Sequence, residues 1–221
     1  MFSSIVSFVG SSGSGKTTLI EKIVKTLSFK GYRIGCIKHD AHRFEIDKPG
    51  KDSFRFKEAG AEIVSISSSE KIALIKSHLD KEMDILEIII KYFSDVDFVI
   101  TEGYKRSTLP KIEILRKENG NEPVMFDSPY LIGVVSNHPK NYIIEKLSYY
   151  NNDNFLRKYN ENIFDLNDTE KIVSMLEEMI QKVNVNIDIS SNDRILNEII
   201  NNMLQSLKFL DIKNLKLEIK S

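Results

Sequence analysis

The run GSSGSGKT, residues 10–17, constrains this chain more than any other stretch. It fits G-x-x-x-x-G-K-S/T at every fixed position. An apolar segment, Ile5–Val9, leads into it. Behind it Leu19, Ile20, Ile23, Val24 and Leu27 recur at helical spacing along Lys16–Phe29. The pattern predicts a buried strand, a tight loop and an amphipathic helix. Glycines let successive backbone N–H groups turn into one hollow. A helix opening at Lys16 adds its unpaired N–H groups and the positive end of its dipole. Such a hollow suits the phosphates of a nucleotide, with Lys16 reaching the β- and γ-phosphates and the Thr17 hydroxyl able to ligate Mg2+. Gly10, Ser11, Ser12, Gly13, Ser14, Gly15, Lys16, Thr17 and Thr18 are therefore the candidate nucleotide-binding set.

Beyond the loop, strands and helices mostly alternate. Ile34–Lys38, EIVSIS, IALI, DFVITEG, KIEILR and LIGVVS read as strands, and 52–58, 83–93 and 169–182 as helices. Several strands are continuous apolar runs. The expected fold is α/β, a P-loop NTPase-type, mostly parallel sheet with helices on both faces. From Val183 the pattern changes. Val183, Val185, Ile187 and Ile189 alternate with polar residues, a helical stripe follows, and Leu215, Leu217 and Ile219 alternate again. Residues 1–182 are thus expected to form a nucleotide-binding domain and 183–221 a small strand-helix-strand extension. The asparagines of 151–162 read as solvated surface.

A P-loop is served by an acid at the end of a neighbouring strand. DFVITEGYK offers Asp97 and Glu102 at opposite ends of one strand, about 17 Å apart at ~3.3 Å per residue. Ligands of parallel sheets bind at the carboxyl ends of strands. Glu102 is therefore the candidate Mg2+ partner and, with Lys16, the candidate catalytic pair, while Asp97 reads as an edge or capping charge. Gly103 permits a sharp turn there. The polar loop from Lys38 to Phe56 starts on the same face and carries His39, Asp40, His42, Glu45, Asp47, Lys51 and Asp52. A charged loop touching phosphate, Mg2+ or a second substrate is the favoured reading over a histidine-carboxylate metal cluster, because four ligands at suitable spacing are not evident. Asp52 or Ser53 could cap the helix that follows. Asn137, after the LIGVVS strand, could bond a purine edge or serve the turn before Pro139. No N-K-x-D stretch identifies the base.

With a net charge of −1 across 221 residues, bulk charge gives no sign of nucleic-acid binding. Apolar runs fall well short of a membrane span. The start lacks a basic segment and reads as a first strand, and Cys36 is the single cysteine, so a cytoplasmic location is expected. Cys36 sits in an apolar run and is expected to be a buried, inert thiol.

Several blocks together resemble one family. GSSGSGKTTLI, IKHDAHRFEIDKPGKDSFRFKEAGA, DFVITEGYK, PKIEILR and VVSN have the order and spacing of the MobB proteins, the adaptors of molybdopterin-guanine dinucleotide biosynthesis, over about residues 5–180. The resemblance implies a P-loop protein that binds GTP with Mg2+, forms a homodimer and assists the guanylyltransferase of the MobA type that joins GMP to molybdopterin. It implies an accessory protein, at most a weak GTPase. It assigns His39, His42, Asp47, Lys51 and Asp52 to the family loop and Glu102, Gly103 and Lys105 to the strand-end block. Ala41 stands where many relatives carry histidine, and Arg43 where they carry an acid, which weakens the metal reading further. The alternative function is a P-loop small-molecule kinase or active NTPase, with Glu102 as base and Lys105 or Arg106 steadying charge.

Overall fold

The computed structural model describes residues 4–39, 44–77 and 82–181. They fall into two compact units. One comprises the described residues up to His39 and from Ile88 onward, the other those in between. The expected 183–221 extension lies outside the described residues.

In the larger unit, β1 (Ser4–Val9), β2 (Ile34–Lys38), β5 (Phe98–Glu102), β6 (Lys111–Leu115), β7 (Leu131–Ser136) and β8 (Ile163–Phe164) make one six-stranded sheet in the order β2-β5-β1-β6-β7-β8. Every pairing in it is parallel. The central strands are nearly uniform apolar runs because both faces are covered. On one face α1 (Lys16–Phe29) and α6 (Thr169–Gln181) bring Leu19, Ile23, Leu27, Ile172, Val173 and Leu176 against Val6, Phe8, Ile100, Ile112 and Ile114. On the other, Ile143 and Leu147 of α4 (Lys140–Tyr149) and Phe155 of α5 (Asp153–Lys158) pack on Leu115, Phe126, Leu131 and Val134. The period of two along β7 sends Val134 to one core and Val135 to the other.

The smaller unit holds α2 (Asp52–Glu58) and the strands β3 (Ile63–Ser67) and β4 (Ile72–Lys76). These two strands stay out of the parallel sheet and form their own antiparallel ladder, with Ser65 opposite Leu74. The short connection between them leaves no room for a crossover, so only antiparallel pairing is open to them. Helix α3 (Ile85–Tyr92) then leads toward β5.

Three sequence expectations need correction. The asparagine-rich stretch is not merely surface. Asn152 is buried, its Oδ1 accepts from Phe155 N (3.1 Å) to cap α5, and its Nδ2 donates to Phe126 O (2.7 Å) and Ser128 O (3.1 Å). Asn162 Nδ2 donates to Ile132 O (2.8 Å). Cys36 is exposed, because β2 is an edge strand of the sheet, although partial desolvation raises its thiol above the usual range. Neither Asp52 nor Ser53 caps α2: Lys51 holds the cap position without a side-chain bond, Ser53 Oγ donates to Asp47 Oδ1 (3.0 Å), and Asp52 faces Arg55 across solvent (3.7 Å).

Two charged residues lie fully buried in β6. Lys111 Nζ donates to Ser107 O and to Leu109 O (3.0 Å), with its ammonium 5.1 Å from the Tyr130 ring centre. Glu113 accepts from Val124 N (2.7 Å) and Met125 N (2.8 Å). Each charge ties down one loop at the ligand end of the sheet. Burial pushes Glu113 up to about 7 against those two amides and Lys105, with Asp127 adding to the rise. Burial pushes Lys111 down to about 8.

These shifts define a pH dependence. Glu113 titrates higher folded than unfolded, so the folded chain holds an extra proton between about 4.5 and 7. Its contribution is full below that window and is lost as pH rises through it, by about 3 kcal/mol at 1.36 kcal/mol per unit. Lys111 titrates lower folded than unfolded, so stability rises again above about 8. Thermal melts from pH 5 to 7 should show a falling Tm, and Glu113→Gln should flatten that slope. An equal slope in both proteins would remove Glu113 as its origin.

Candidate functional site

The carboxyl ends of β5, β1 and β6 lie side by side, with Phe8 paired to both Glu102 and Ile112. This register sets the glycine-rich loop after β1 beside Glu102. Gly10 (φ 147°), Gly13 (φ 75°) and Gly15 (φ 91°) hold the loop in backbone conformations that L side chains rarely adopt. Gly15 is the N-cap of α1 and offers no side-chain acceptor, so the first amides of the helix keep their donors for another partner. Lys16 Nζ lies along the loop and donates to Ser11 O (2.8 Å) and Gly10 O (3.4 Å). Burial lowers its pKa, Glu102 raises it, and Lys105 and Lys38 lower it further. A cation so placed is partly desolvated and suited to an anion. Ser14 is buried, and its Oγ has no hydrogen-bond partner among the described residues. Thr18 is exposed at the head of α1.

Thr17 Oγ1 donates to Glu102 Oε2 (3.0 Å), and Glu102 Oε1 is 4.0 Å from Lys38 Nζ. A hydroxyl and a carboxylate in contact are the hard oxygen donors that Mg2+ takes beside phosphate. The residues present therefore fit both a phosphate chain and its divalent ion. The turn after Glu102 is sharp, with Gly103 at φ 100° and Tyr104 at φ 52°. His39 donates its backbone N–H to Glu102 O (2.9 Å), and its ring lies 4.8 Å from that of Tyr104. Asp97 is at the other end of β5, where its Oδ2 accepts from Arg33 N (2.7 Å) and its Oδ1 lies 3.4 Å from Arg33 Nη2.

His42 lies outside the described residues. Asp47, Lys51 and Asp52 belong to the smaller unit, where Asp47 Oδ1 accepts from Lys48 N (2.8 Å) as well as from Ser53. Asn137 is at the end of β7, but both ends of its amide are engaged. Oδ1 accepts from Lys117 N (2.9 Å), and Nδ2 donates to both carboxylate oxygens of Glu118 (2.8 and 2.9 Å).

Sequence reasoning missed Arg116, Asn119 and Asn121, which reach the glycine-rich loop from the segment after β6. Arg116 closes the quoted KIEILR block, so its place at a strand end was the available signal. It missed the burial of Lys111 and Glu113 because alternating charges in a strand ordinarily mark a wet face.

Comparison with known proteins bears on the fold and the family. The family model for molybdopterin guanine dinucleotide synthesis protein B, MobB, matches residues 5–137. The molybdopterin-guanine dinucleotide biosynthesis adapter protein of Escherichia coli is 32% identical over 184 residues, covering 81% of this chain and 95% of its own. The adapter protein of Haemophilus influenzae is 35% identical over 137 residues, covering 61% of this chain and 75% of its own. The crystal structure of Bacillus subtilis MobB superposes with a TM-score of 0.56 at 26% identity, covering 80% of this chain and 97% of that one. A family match across more than half of the sequence, together with a relative 32% identical over 81% of the chain, places the chain in the MobB family of molybdopterin-guanine dinucleotide biosynthesis adapter proteins.

Proposed function

We propose that this chain binds GTP with Mg2+ in the loop of residues 10–18 and, as a homodimer, assists a guanylyltransferase that joins GMP to molybdopterin. The observation that carries the reading is the single cluster of uncapped α1 amides, the Lys16 ammonium and the Thr17–Glu102 pair at 3.0 Å. The amides and Lys16 orient the triphosphate. Glu102 holds the Thr17 hydroxyl at the place where Mg2+, when bound, would neutralise charge on the phosphates. The hairpin of the smaller unit supports self-association. Ile63, Ile72 and Leu74 share one face of the hairpin and are all at least half exposed, an apolar surface of the kind that pairs with another chain.

Calorimetric titration with GTP and ATP, with and without Mg2+, tests the binding. GTP is expected to bind more tightly than ATP, and Mg2+ to strengthen it. Thr17→Ala should shrink the Mg2+ effect while leaving metal-free affinity near wild type. Addition of the protein to a guanylyltransferase assay should raise product yield. No triphosphate binding, or no effect on the transferase, would defeat the corresponding half of the proposal.

A further inference from the structure

The segment after β6 donates hydrogen bonds to the phosphate loop from three side chains. Arg116 Nε reaches Ser14 O (3.4 Å), Asn119 Nδ2 reaches Ser12 O (3.4 Å), and Asn121 Nδ2 reaches Ser11 Oγ (3.0 Å). The approach is close. A Cβ added at Gly15 would lie 2.9 Å from Arg116 Nη2, and one at Gly13 would lie 3.7 Å from Asn119 Nδ2.

Two of the three acceptors are backbone carbonyls. In a loop that binds an anion through N–H groups, the carbonyls must turn away from the hollow. Donors waiting on the carbonyl side therefore favour the conformation in which the amides face inward. Two of these bonds are long, so each is weak alone. Their common origin in one segment makes them act together.

That segment is itself secured at both ends. Asn137 clamps its start through Lys117 N and Glu118. Glu113 clamps its far side through Val124 N and Met125 N.

We infer that residues 116–121 form a brace that preorganises the phosphate loop, and that Asn137 anchors this brace instead of reading the base. The inference rests on the proposed binding of a triphosphate at this loop and refines it. Arg116, Asn119, Asn121 and Asn137 are positioning residues for the polyphosphate chain, indifferent to the base attached to it.

The test titrates GTP, ATP and inorganic tripolyphosphate, each with Mg2+, into the wild-type chain and into Arg116→Ala, Asn119→Ala, Asn121→Ala and Asn137→Ala. Each variant is expected to weaken all three ligands alike, by about 2- to 10-fold, the loss of one hydrogen-bonding group. The GTP-to-ATP ratio should stay at the wild-type value. Amide hydrogen exchange over residues 11–17 should quicken in the ligand-free variants, a change that a generally weakened fold would not confine to that stretch.

Asn121 is exposed, so its variant keeps the test open if another fails to fold. Arg116→Lys retains the charge but loses the Nε donor, and should behave like Arg116→Ala if the brace acts through that bond. Loss confined to GTP in Asn137→Ala would return that residue to base reading and overturn the inference. Unchanged affinity for all ligands in Asn121→Ala and Asn119→Ala would also overturn it. Failure of the wild type to bind any of the three ligands would instead sink the proposed nucleotide site, and the brace with it.

Discussion

Lys16→Ala is expected to weaken GTP binding by about 10- to 100-fold, because it removes a charge-assisted contact worth about 1.5–3 kcal/mol. Among the described residues the lysine has no anionic partner in hydrogen-bond contact. Its ammonium donates to Ser11 O and Gly10 O, and Glu102 acts on it through the field. The folded chain therefore keeps a partly desolvated cation beside the loop, a cost recovered when phosphate oxygens replace the carbonyls. Removing the side chain should cost little stability while it removes the ligand's main point charge. Calorimetry with GTP and Mg2+ beside a thermal melt separates the two effects. Affinity within about twofold of wild type would mean that triphosphate binds without this group, and the site would have to be drawn elsewhere.

Gly10→Ala is expected to damage both stability and binding. At φ 147° a Cβ would sit 2.5 Å from Ile114 O and 2.9 Å from Ser14 Oγ. The first neighbour is backbone of a central strand and cannot swing aside. Strained φ costs about 1–3 kcal/mol and overpacking about 1–3 more. Gly31 provides the internal control. It has φ 92°, yet nothing lies within 4 Å of its added Cβ, so Gly31→Ala should show the conformational cost alone. Urea unfolding of the two variants should differ by about 1–3 kcal/mol, with GTP binding lost only in Gly10→Ala. Equal destabilisation would mean that Ile114 O can move and that the loop is not pinned against β6.

Much of the larger unit was legible because its signals are local. The apolar runs of β1, β5 and β7 and the stripes of α1 and α6 report burial directly, and the glycine-rich loop announces the turn between β1 and α1. Strand polarity alone separated Glu102 from Asp97, since the two ends of a parallel strand face different ends of the sheet. Other elements had no such local signal. Helix α4 carries only two buried side chains, Ile143 and Leu147, too few to declare a period. Asn152 and Asn162 satisfy backbone groups far along the chain, at 126, 128 and 132, which composition cannot anticipate. The bonds of Asn137 were equally illegible, because its partners, Lys117 N and Glu118, lie some twenty residues away.

By itself, then, the sequence determined the parallel α/β architecture, the strand–loop–helix that carries the glycine-rich motif of residues 10–17 and the family, because each rests on spacing within a short window. Only the tertiary structure decided what surrounds the loop. It put Thr17 against Glu102, folded Arg116, Asn119 and Asn121 onto the loop's carbonyl side, and buried Lys111 and Glu113 as anchors for the flanking segments. Apart from those of Lys111, whose carbonyl partners are local, these are contacts between residues distant along the chain. They exist because a parallel sheet gathers the carboxyl ends of its strands at one edge, and the pairing of β1 with β5 and β6 chooses which ends meet.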